Sequence, residues 1–491
     1  MAYTFGDSFD LYAAVADAGA GYWDNAATQF SLITPGRFIG SQALAPANGF
    51  FWFKNSPAND AVHHIVCAIR QTSAITGSTA ANNIQLSDGA TAQCSIVFRS
   101  DGAILLQSGA PGGTTLATYT GAITLQNQWF AFEFEVVINN TTGSFTVRKN
   151  GNTSNDFTLG SLNTRGGTAN NYANRLSLST QSAATGHQFD DLLWRSDASA
   201  VPWVGDVRTY VRMPASDASK QFTASAAAFP QLIYSASSTQ AFQSGTARYT
   251  PFIASVTGAV GSITLPVTTA STANTKCSIF SDASGLPGTA LGSATPVSAP
   301  SVGTATFTFG TPVSVTAGTR YWVGSDSDAA SGAYSVNTNF STAYTLAVAY
   351  ASFPTNNPAV SVTASPAAFT VNITQSSNYP FLMEAQQDGA TTYVYDSNVG
   401  DADFYGIGSI GVTPASVVAV TTRGFIQKSD AGSRSGAVQL KSGSTTVQST
   451  PGPVSTTFAW MWRTDVTDPA TGAAWTPTGV NNAQIGPTVT A

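Results

Sequence analysis

Between residues 129 and 138 the chain reads WFAFEFEVVI, and two sets of side chains alternate along it. Phe130, Phe132, Phe134, Val136 and Ile138 fall on one face, and Trp129, Ala131, Glu133, Glu135 and Val137 on the other. A period of two over ten residues predicts a strand with one buried face. NNTTG (139–143) predicts a turn, and SFTVRKNG (144–151) predicts the returning strand, ending in an Asn-Gly hairpin dipeptide. The same pattern predicts strands at FFWFKN (50–55), HHIVCAIR (63–70), CSIVFRS (94–100) and AILLQSG (103–109), with FDDLLWRSD (189–197) closing the group. FGDSFD (5–10) reads as the first strand, burying Phe5 and Phe9.

Further along, KCSIFSD (276–282) puts Cys277 and Ile279 on one face, SGLPGTAL (284–291) reads as a Pro-Gly turn, and ATFTFGTPVSV (305–315) and AGTRYWVGSD (317–326) read as strands. Stretches rich in Ser, Ala, Thr and Pro at 224–240 and 355–378 read as linkers around this block. The last part holds SVVAVTTRGFI (416–426), AVQLK (437–441) and FAWMWR (458–463), where Phe458, Trp460 and Trp462 share a face. No repeat of fixed period, heptad run or collagen pattern occurs, so no fibre shaft is encoded.

Composition narrows the function classes. Charged residues are 9% of the 491, against about 25% in an average soluble domain, yet 28 Phe, 16 Tyr and 9 Trp supply a large core. The net charge of −6 comes without a basic stripe, which excludes electrostatic nucleic-acid binding. No apolar run is long enough for a transmembrane helix, and MAYTFGDSFD has neither a basic nor an apolar signal region, so no membrane span and no export signal are expected. Cys67, Cys94 and Cys277 are odd in number and widely spaced, as for buried thiols rather than a disulfide framework.

The order of a bulky strand with W-x-x-F-E-F-E-V, a turn, a strand ending in Asn-Gly and a later F-D-D-L-L-W resembles the concanavalin-A/laminin-G-like jelly roll. A closing strand with Asp-Asp between hydrophobic residues, followed by VGDVRTYVRMPASDASKQFT (204–223), DGATTYVYDSNVGDADFYGIGSI (388–410) and TDPATGAAWTPTGVNNAQIG (467–486), resembles tailed-bacteriophage virion proteins. The block holding KCSIFSD and VSVTAGTRYWV resembles β-sandwich modules of surface-anchored and phage proteins. These resemblances imply an all-β chain with a jelly-roll sandwich over 1–203 and two smaller antiparallel β-sandwiches. One of these is split between 204–223 and 376–491, and the other, 224–375, is inserted in it.

Candidate chemistry is sparse. Glu133 and Glu135, at i and i+2 of one strand, have Cα atoms roughly 6.6 Å apart, and retaining glycosidases hold their carboxyls about 5–5.5 Å apart. Jelly-roll glucanases, however, carry a further acid in that run, and a polar face with Arg148 on the next strand accounts for the pair equally well. FGDSFD resembles the nucleophile block of GDS-type hydrolases, but Ser8 needs a base and no histidine follows His187. His63 and His64 point to opposite faces and cannot chelate one ion. Asp396, Asn398, Asp401 and Asp403 form an oxygen-rich loop without the spacing or bidentate Glu of a calcium loop. Of Asp190 and Asp191, one is expected to cap a strand edge and one to face solvent. Trp203, Tyr234 and Tyr344 lie near turns, where aromatic rings stack on sugars or pack in cores.

No catalytic, cofactor-binding or metal-binding residue is therefore assigned, and the chain is expected not to be an enzyme. The resemblance implies a virion structural protein, a minor tail, baseplate-associated or capsid-decorating component. It would be assembled in the host cytoplasm beside other virion proteins, as a homo-oligomer with a trimer among the options. Host-surface polysaccharide is the expected further partner. The alternatives are a carbohydrate-binding surface adhesin and, weakest, a polysaccharide depolymerase.

Overall fold

The computed structural model describes residues 3–46, 51–180, 186–224, 229–352, 358–360, 362–375, 377–384 and 386–491. It is 51% strand and 3% helix, with antiparallel sheets packed as sandwiches, so the all-β expectation holds. The chain divides into two compact units. One comprises Met1–Phe222, Leu382–Thr391 and Asp396–Ala491; the other comprises Thr223–Phe381 and Thr392–Tyr395.

The N-terminal part of the first unit is a sandwich of two large sheets. One runs Phe157–Leu162, Gly143–Lys149, Trp129–Val137, Val62–Gln71, His187–Asp197, Ala43–Ala45, Ser31–Ile33, with Tyr3–Asp7 also on His187–Asp197. The other runs Thr115–Tyr119, Ile104–Ser108, Thr91–Arg99, Ala80–Asp88, Ala173–Thr180, Phe51–Asp60, Asn25–Ala26. The strands expected from alternation are present with shifted ends: the one expected at 50–55 continues to Asp60, the one at 94–100 begins at Thr91, and the first strand is Tyr3–Asp7 rather than 5–10; Phe50 lies outside the described residues. Phe130, Phe132, Phe134, Val136 and Ile138 are all buried, and the rings of Phe132, Phe134 and Phe145 stack at 5.7 and 6.1 Å. The strands Ala80–Asp88 and Ala173–Thr180, which the sequence reading does not mark, fill the middle of the second sheet.

His187–Asp197 carries a bulge between Asp190 and Leu193, with Asp191 in the left-handed region (φ 50°). The bulge lets one strand pair with Leu44 before the kink and with Tyr3–Asp7 after it.

The C-terminal part of the first unit has a sheet ordered Pro214–Ser219, Phe404–Ile407, Gln484–Val489, Ser435–Ser442, Thr445–Gln448. A separate ribbon pairs Val420–Ile426 with Ala459–Asp465. Ile410, Leu440, Trp475, Val480 and Ala483 make only a small core of their own. The ribbon rests instead on the jelly roll. Trp460 donates its backbone N–H to the Ala20 carbonyl (2.6 Å) and its indole N–H to the Asp17 carbonyl (2.8 Å). Gly21, at φ 104°, is where that backbone comes closest: a Cβ there would stand 3.1 Å from the Trp460 carbonyl oxygen. Trp462 packs edge-on against Tyr22 at 5.3 Å.

Between these aromatics Arg423 reaches into the jelly roll. Its Nη2 donates to the Gly6 carbonyl at 2.9 Å and lies 3.4 Å from Asp7 Oδ1, and its guanidinium sits 3.3 Å over the Tyr22 ring. Asp7, 1% exposed, also accepts from Tyr12 Oη (2.5 Å), Trp23 Nε1 (2.7 Å) and the Phe9 backbone N–H (3.1 Å).

The second unit is a sandwich around Val260, Ile263, Leu265, Cys277, Ile279, Phe307, Val323, Val371 and Ile373. Two expectations need correction here. The 224–240 and 355–378 stretches are not linkers where they are described: Phe229–Leu232, Ser238–Ala241, Val362–Ala364 and Thr370–Gln375 are strands. Thr370–Gln375 lies directly beside Gly258–Thr269 with Val371 and Ile373 fully buried, because Phe369, Val371 and Ile373 alternate inside a segment whose Ser and Thr content hides them. Residues 225–228, 355–357, 361 and 376 of those stretches lie outside the described residues. The hairpin turn in 284–291 is not Pro-Gly but Ser284-Gly285, both at positive φ (56° and 88°). Pro287 already belongs to Leu286–Ser293, an edge strand, where its missing N–H is tolerated.

Replacing Arg423 by Met should lower the unfolding free energy by about 3–5 kcal/mol, because it leaves the Asp7 carboxylate buried without its cation. Urea denaturation of the variant checks this. The double variant Arg423→Met with Asp7→Leu should recover a large part of the loss.

Candidate functional site

The acidic pair on Trp129–Val137 is not a free polar face. Glu133 is 2% exposed, and its two oxygens accept the backbone N–H groups of Val204 and Gly205, both at 2.8 Å. His64, on the adjacent strand, lies between the two acids, with Nε2 2.8 Å from Glu135 Oε2 and Nδ1 3.5 Å from Glu133 Oε1. Trp203 packs edge-on against His64 at 4.7 Å, and the Arg148 guanidinium covers that ring at 4.0 Å. Arg148 thus pairs with Trp203 and with Asn155 (2.9 Å) rather than with the glutamates. The cluster fastens residues 203–205 across the outer face of the first sheet.

Asp190 and Asp191 do the same further along, and neither faces solvent: they are 1% and 2% exposed. Asp190 Oδ2 accepts the Arg37 backbone N–H (2.6 Å), and Asp191 pairs with Arg37 Nη1 (3.1 Å) and accepts the Thr209 N–H (2.8 Å). Arg37 also holds Asp206 at 2.8 Å. Burial, then the charge of Asp191, pushes the Asp190 carboxyl up to about 8.

The remaining sequence candidates are engaged in packing. Ser8 is 3% exposed and its Oγ accepts from the Asp10 N–H at 3.4 Å; among the described residues no histidine bonds to it. His63 faces away from His64: its Nδ1 accepts from Trp194 Nε1 (3.3 Å) and its Nε2 lies 2.9 Å from the Asp60 carbonyl, as suits a neutral ring. In the 396–403 loop, Asp403 accepts the N–H groups of Gln221 (2.5 Å) and Phe222 (2.8 Å) and the Tyr405 hydroxyl. Asp396 accepts from Ser397 and Asn398. Asp401 accepts from the Gln221 and Asn398 side chains. Tyr344 packs on Trp322 (5.6 Å), and Tyr234 on Phe340 (5.5 Å). The three cysteines are buried and unpaired, and burial raises the thiol of Cys94 to about 12.

A different surface emerges on the second sheet of the jelly roll. Its inward positions are Ile84, Leu86, Cys94, Ile96, Phe98, Ile104, Leu106, Leu176 and Leu178. The residues between them point away from the core, and the strand register sets them in rows. One row is Gln107, Ser95, Gln85, Ser177, Phe53. The next is Leu105, Val97, Asn83, Ser179, Phe51. Neither row contains a charged residue. Gln107, Ser95 and Ser177 of the first row and Leu105, Val97, Asn83 and Ser179 of the second are nearly fully buried, with Ser95 Oγ donating to the Gly109 carbonyl at 2.8 Å, while Phe51 is 45% exposed and Gln85 and Phe53 are half-buried.

The polar groups of these rows are held but not exhausted. Ser179 Oγ donates to Asn83 Oδ1 at 2.7 Å, and Asn83 Nδ2 has no partner among the described residues. Gln85 Nε2 donates to Ser87 Oγ at 2.9 Å. At the border, Arg175 stacks 4.1 Å over Phe53 and donates to Asn55 Oδ1 (2.8 Å). Gln93 ties down the 166–172 loop through Thr168, Asn170 and Tyr172. Amides and hydroxyls both donate and accept, and a phenyl ring offers an apolar face. Such a surface suits a neutral, hydroxyl-rich ligand. The signal for it was present in the sequence as NNIQLSD, QCSIVF and RLSLS, where uncharged polar residues alternate with apolar ones.

No family model matches the chain, and no curated protein matches it. Solved structures align with parts of it. The cellulose-induced protein Cip1 is 16% identical, with a TM-score of 0.26 over 35% of this chain and 88% of that one. The Ca2+-bound exoplasmic/lumenal domain of VIP36 is 10% identical, with a TM-score of 0.25 over 39% and 92%. Arcelin-5, a lectin-like defense protein from Phaseolus vulgaris, is 7% identical, with a TM-score of 0.25 over 40% and 99%. Likeness at this level carries no statement about what the present chain binds.

His64 should titrate well apart from His63 and His187 by NMR. Burial lowers His63 and His187 to about 4. For His64, burial opposes the charged ring, but the hydrogen bonds and charges of Glu133 and Glu135 outweigh it, and the pKa rises above its usual 6.5. A raised histidine contributes its full stability below about pH 6.5 and loses it as pH climbs through the folded pKa. His64→Gln should therefore destabilise more at pH 6 than at pH 9 in urea titrations.

Proposed function

We propose that the protein is a non-enzymatic carbohydrate-binding surface protein whose jelly roll recognises a neutral glycan on the outer face of the Thr91–Arg99, Ala80–Asp88, Ala173–Thr180 and Phe51–Asp60 strands. The carrying observation is the uncharged row Gln107, Ser95, Gln85, Ser177 ending in Phe53, in which Gln85 and Phe53 are the members open to solvent. Amides of this kind form cooperative hydrogen bonds with sugar hydroxyls, and Phe53 stacks against the apolar face of the ring. A non-catalytic role is supported by the engagement of Glu133 with backbone N–H groups and by the burial of Ser8.

A glycan array followed by calorimetry on the intact chain tests this. Saturable binding that survives 0.5 M salt is expected. Phe53→Ala and Gln85→Ala should each weaken it about 5- to 30-fold, as for the loss of about 1–2 kcal/mol, with little change in melting temperature. Undiminished binding by both variants would move the site elsewhere, and no binding to any glycan would refute the reading.

The finer reading is that this adhesin is a component of a bacteriophage particle, a minor tail, baseplate-associated or decorating protein acting as a homo-oligomer. It is supported by the sequence resemblance of 204–223 and 388–410 and by a charge content of only 9%. Mass spectrometry of purified particles from an infected culture that expresses the chain should find it among the virion proteins; its absence there would remove this setting and leave the glycan reading intact.

A further inference from the structure

Two loops of the second unit meet with no charge on either. Residues 233–237 lead into Ser238–Ala241, and residues 337–342 lead from Ala333–Val336 in one sheet to Ala343–Ala347 in the other. IYSASSTQA (233–241) and VNTNFSTAYTLAV (336–348) contain no Asp, Glu, Lys, Arg or His. Where the loops meet, the Phe340 ring is 47% exposed, with the Tyr234 ring beside it at 5.5 Å and 50° to it. A single exposed apolar side chain is ordinary. What sets Phe340 apart is how firmly the loop beneath it is held.

The backbone N–H groups of Ser237 and Asn337 donate to the Val336 and Pro366 carbonyls, both at 2.9 Å. Asn337 is 3% exposed and staples the loops: its Nδ2 donates to the Ser235 carbonyl (2.8 Å), and its Oδ1 accepts the Asn339 N–H (2.9 Å). The Thr338 N–H donates to Ser237 Oγ (2.9 Å), which lies 3.2 Å from Thr338 Oγ1. Tyr234 Oη lies 3.0 Å from Thr342 Oγ1, which fixes the second ring. Ordering a loop costs conformational entropy, and here the ordered loop turns an aromatic face to solvent instead of burying it. A ligand that meets this face finds it already in place, so little further ordering opposes binding.

The groups in the two loops select the ligand class. Phe340 has no polar tip, so its face accepts C–H groups. Ser237, Thr338, Asn339, Ser341 and Thr342 are all exposed, and their hydroxyls and amide both donate and accept. A pyranose with equatorial hydroxyls matches both features: its axial C–H groups make the ring face apolar, and its hydroxyls radiate from the ring edge. A charged ligand would find no ion partner in either loop.

We propose that the Tyr234–Phe340 corner is a second glycan-binding site, which takes a neutral pyranose of this kind, its face on Phe340 and its hydroxyls on the polar groups of residues 337–342. It uses other residues, in the other unit, than the jelly-roll surface, so either reading can fail alone.

The test is saturation-transfer NMR and calorimetry of the full-length Phe53→Ala/Gln85→Ala variant, in which the jelly-roll surface is weakened. The probes are cellotriose and sorbitol, an open-chain polyol without the flat C–H face. Cellotriose should bind this variant with an affinity that about 0.5 M NaCl leaves unchanged, since no ion pair is involved, and sorbitol should not bind. Adding Phe340→Ala should weaken cellotriose binding about tenfold, while adding Phe340→Trp instead should keep or tighten it. The melting temperature should stay the same, because the ring is exposed. No cellotriose binding to the starting variant, equal binding of sorbitol, or an affinity that Phe340→Ala leaves unchanged would each overturn the proposal. Failure of the jelly-roll reading shows differently, as binding by the natural chain that Phe53→Ala and Gln85→Ala do not diminish.

Discussion

A carboxylate buried in the first strand organises the larger unit. Asp7 lies where water cannot solvate it, so its oxygens must be satisfied by protein donors. Four arrive from separate parts of the chain: the Phe9 N–H, the Tyr12 hydroxyl, the Trp23 indole and the Arg423 guanidinium. The last is more than four hundred residues away in sequence. Completing this one shell seats the N-terminal strand, orders the loop after it, and draws the Val420–Ile426 and Ala459–Asp465 ribbon onto the jelly roll. Trp460 and Trp462 then bury apolar area that the small C-terminal core cannot cover by itself.

The two outer faces of the jelly roll differ for a related reason. On the first sheet the charged residues Glu133, Glu135 and His64 are answered from within, by residues 203–205 and by each other. Arg37, Asp190 and Asp191 answer one another and hold Thr209 and Asp206. That face is occupied by the chain's own backbone. On the second sheet the two outward rows hold amides, hydroxyls, aliphatic groups and rings without charge, and Phe51, Phe53 and Gln85 are the members that reach solvent.

Low charge content makes each buried charge informative. With charged residues at 9%, an enclosed ion is seldom an accident of crowding. Asp7, Glu133 and Asp191 each have charged or multiple backbone partners, and the packing around them is correspondingly closed.

The sequence by itself determined the strands and their faces. Side chains on a strand alternate with a period of two, so Phe130 to Ile138, Cys277 with Ile279, and Phe5 with Phe9 could be assigned to cores from local pattern alone. It also showed that Ser8 had no histidine downstream of His187 to serve it. It misjudged Thr370–Gln375 because hydroxyl residues resemble a linker when their apolar alternates are overlooked, and it shifted the 284–291 turn because Pro-Gly outweighed Ser-Gly. What tertiary structure decided was pairing. Glu133 and Glu135 look alike in the sequence, yet one receives two backbone N–H groups from 204–205 and the other receives a histidine. Asp7 and Arg423, or Gln85 and Phe53, become neighbours only once strands are ordered in sheets. Contact between residues far apart in the chain depends on register and sheet order, which a local period of two cannot encode.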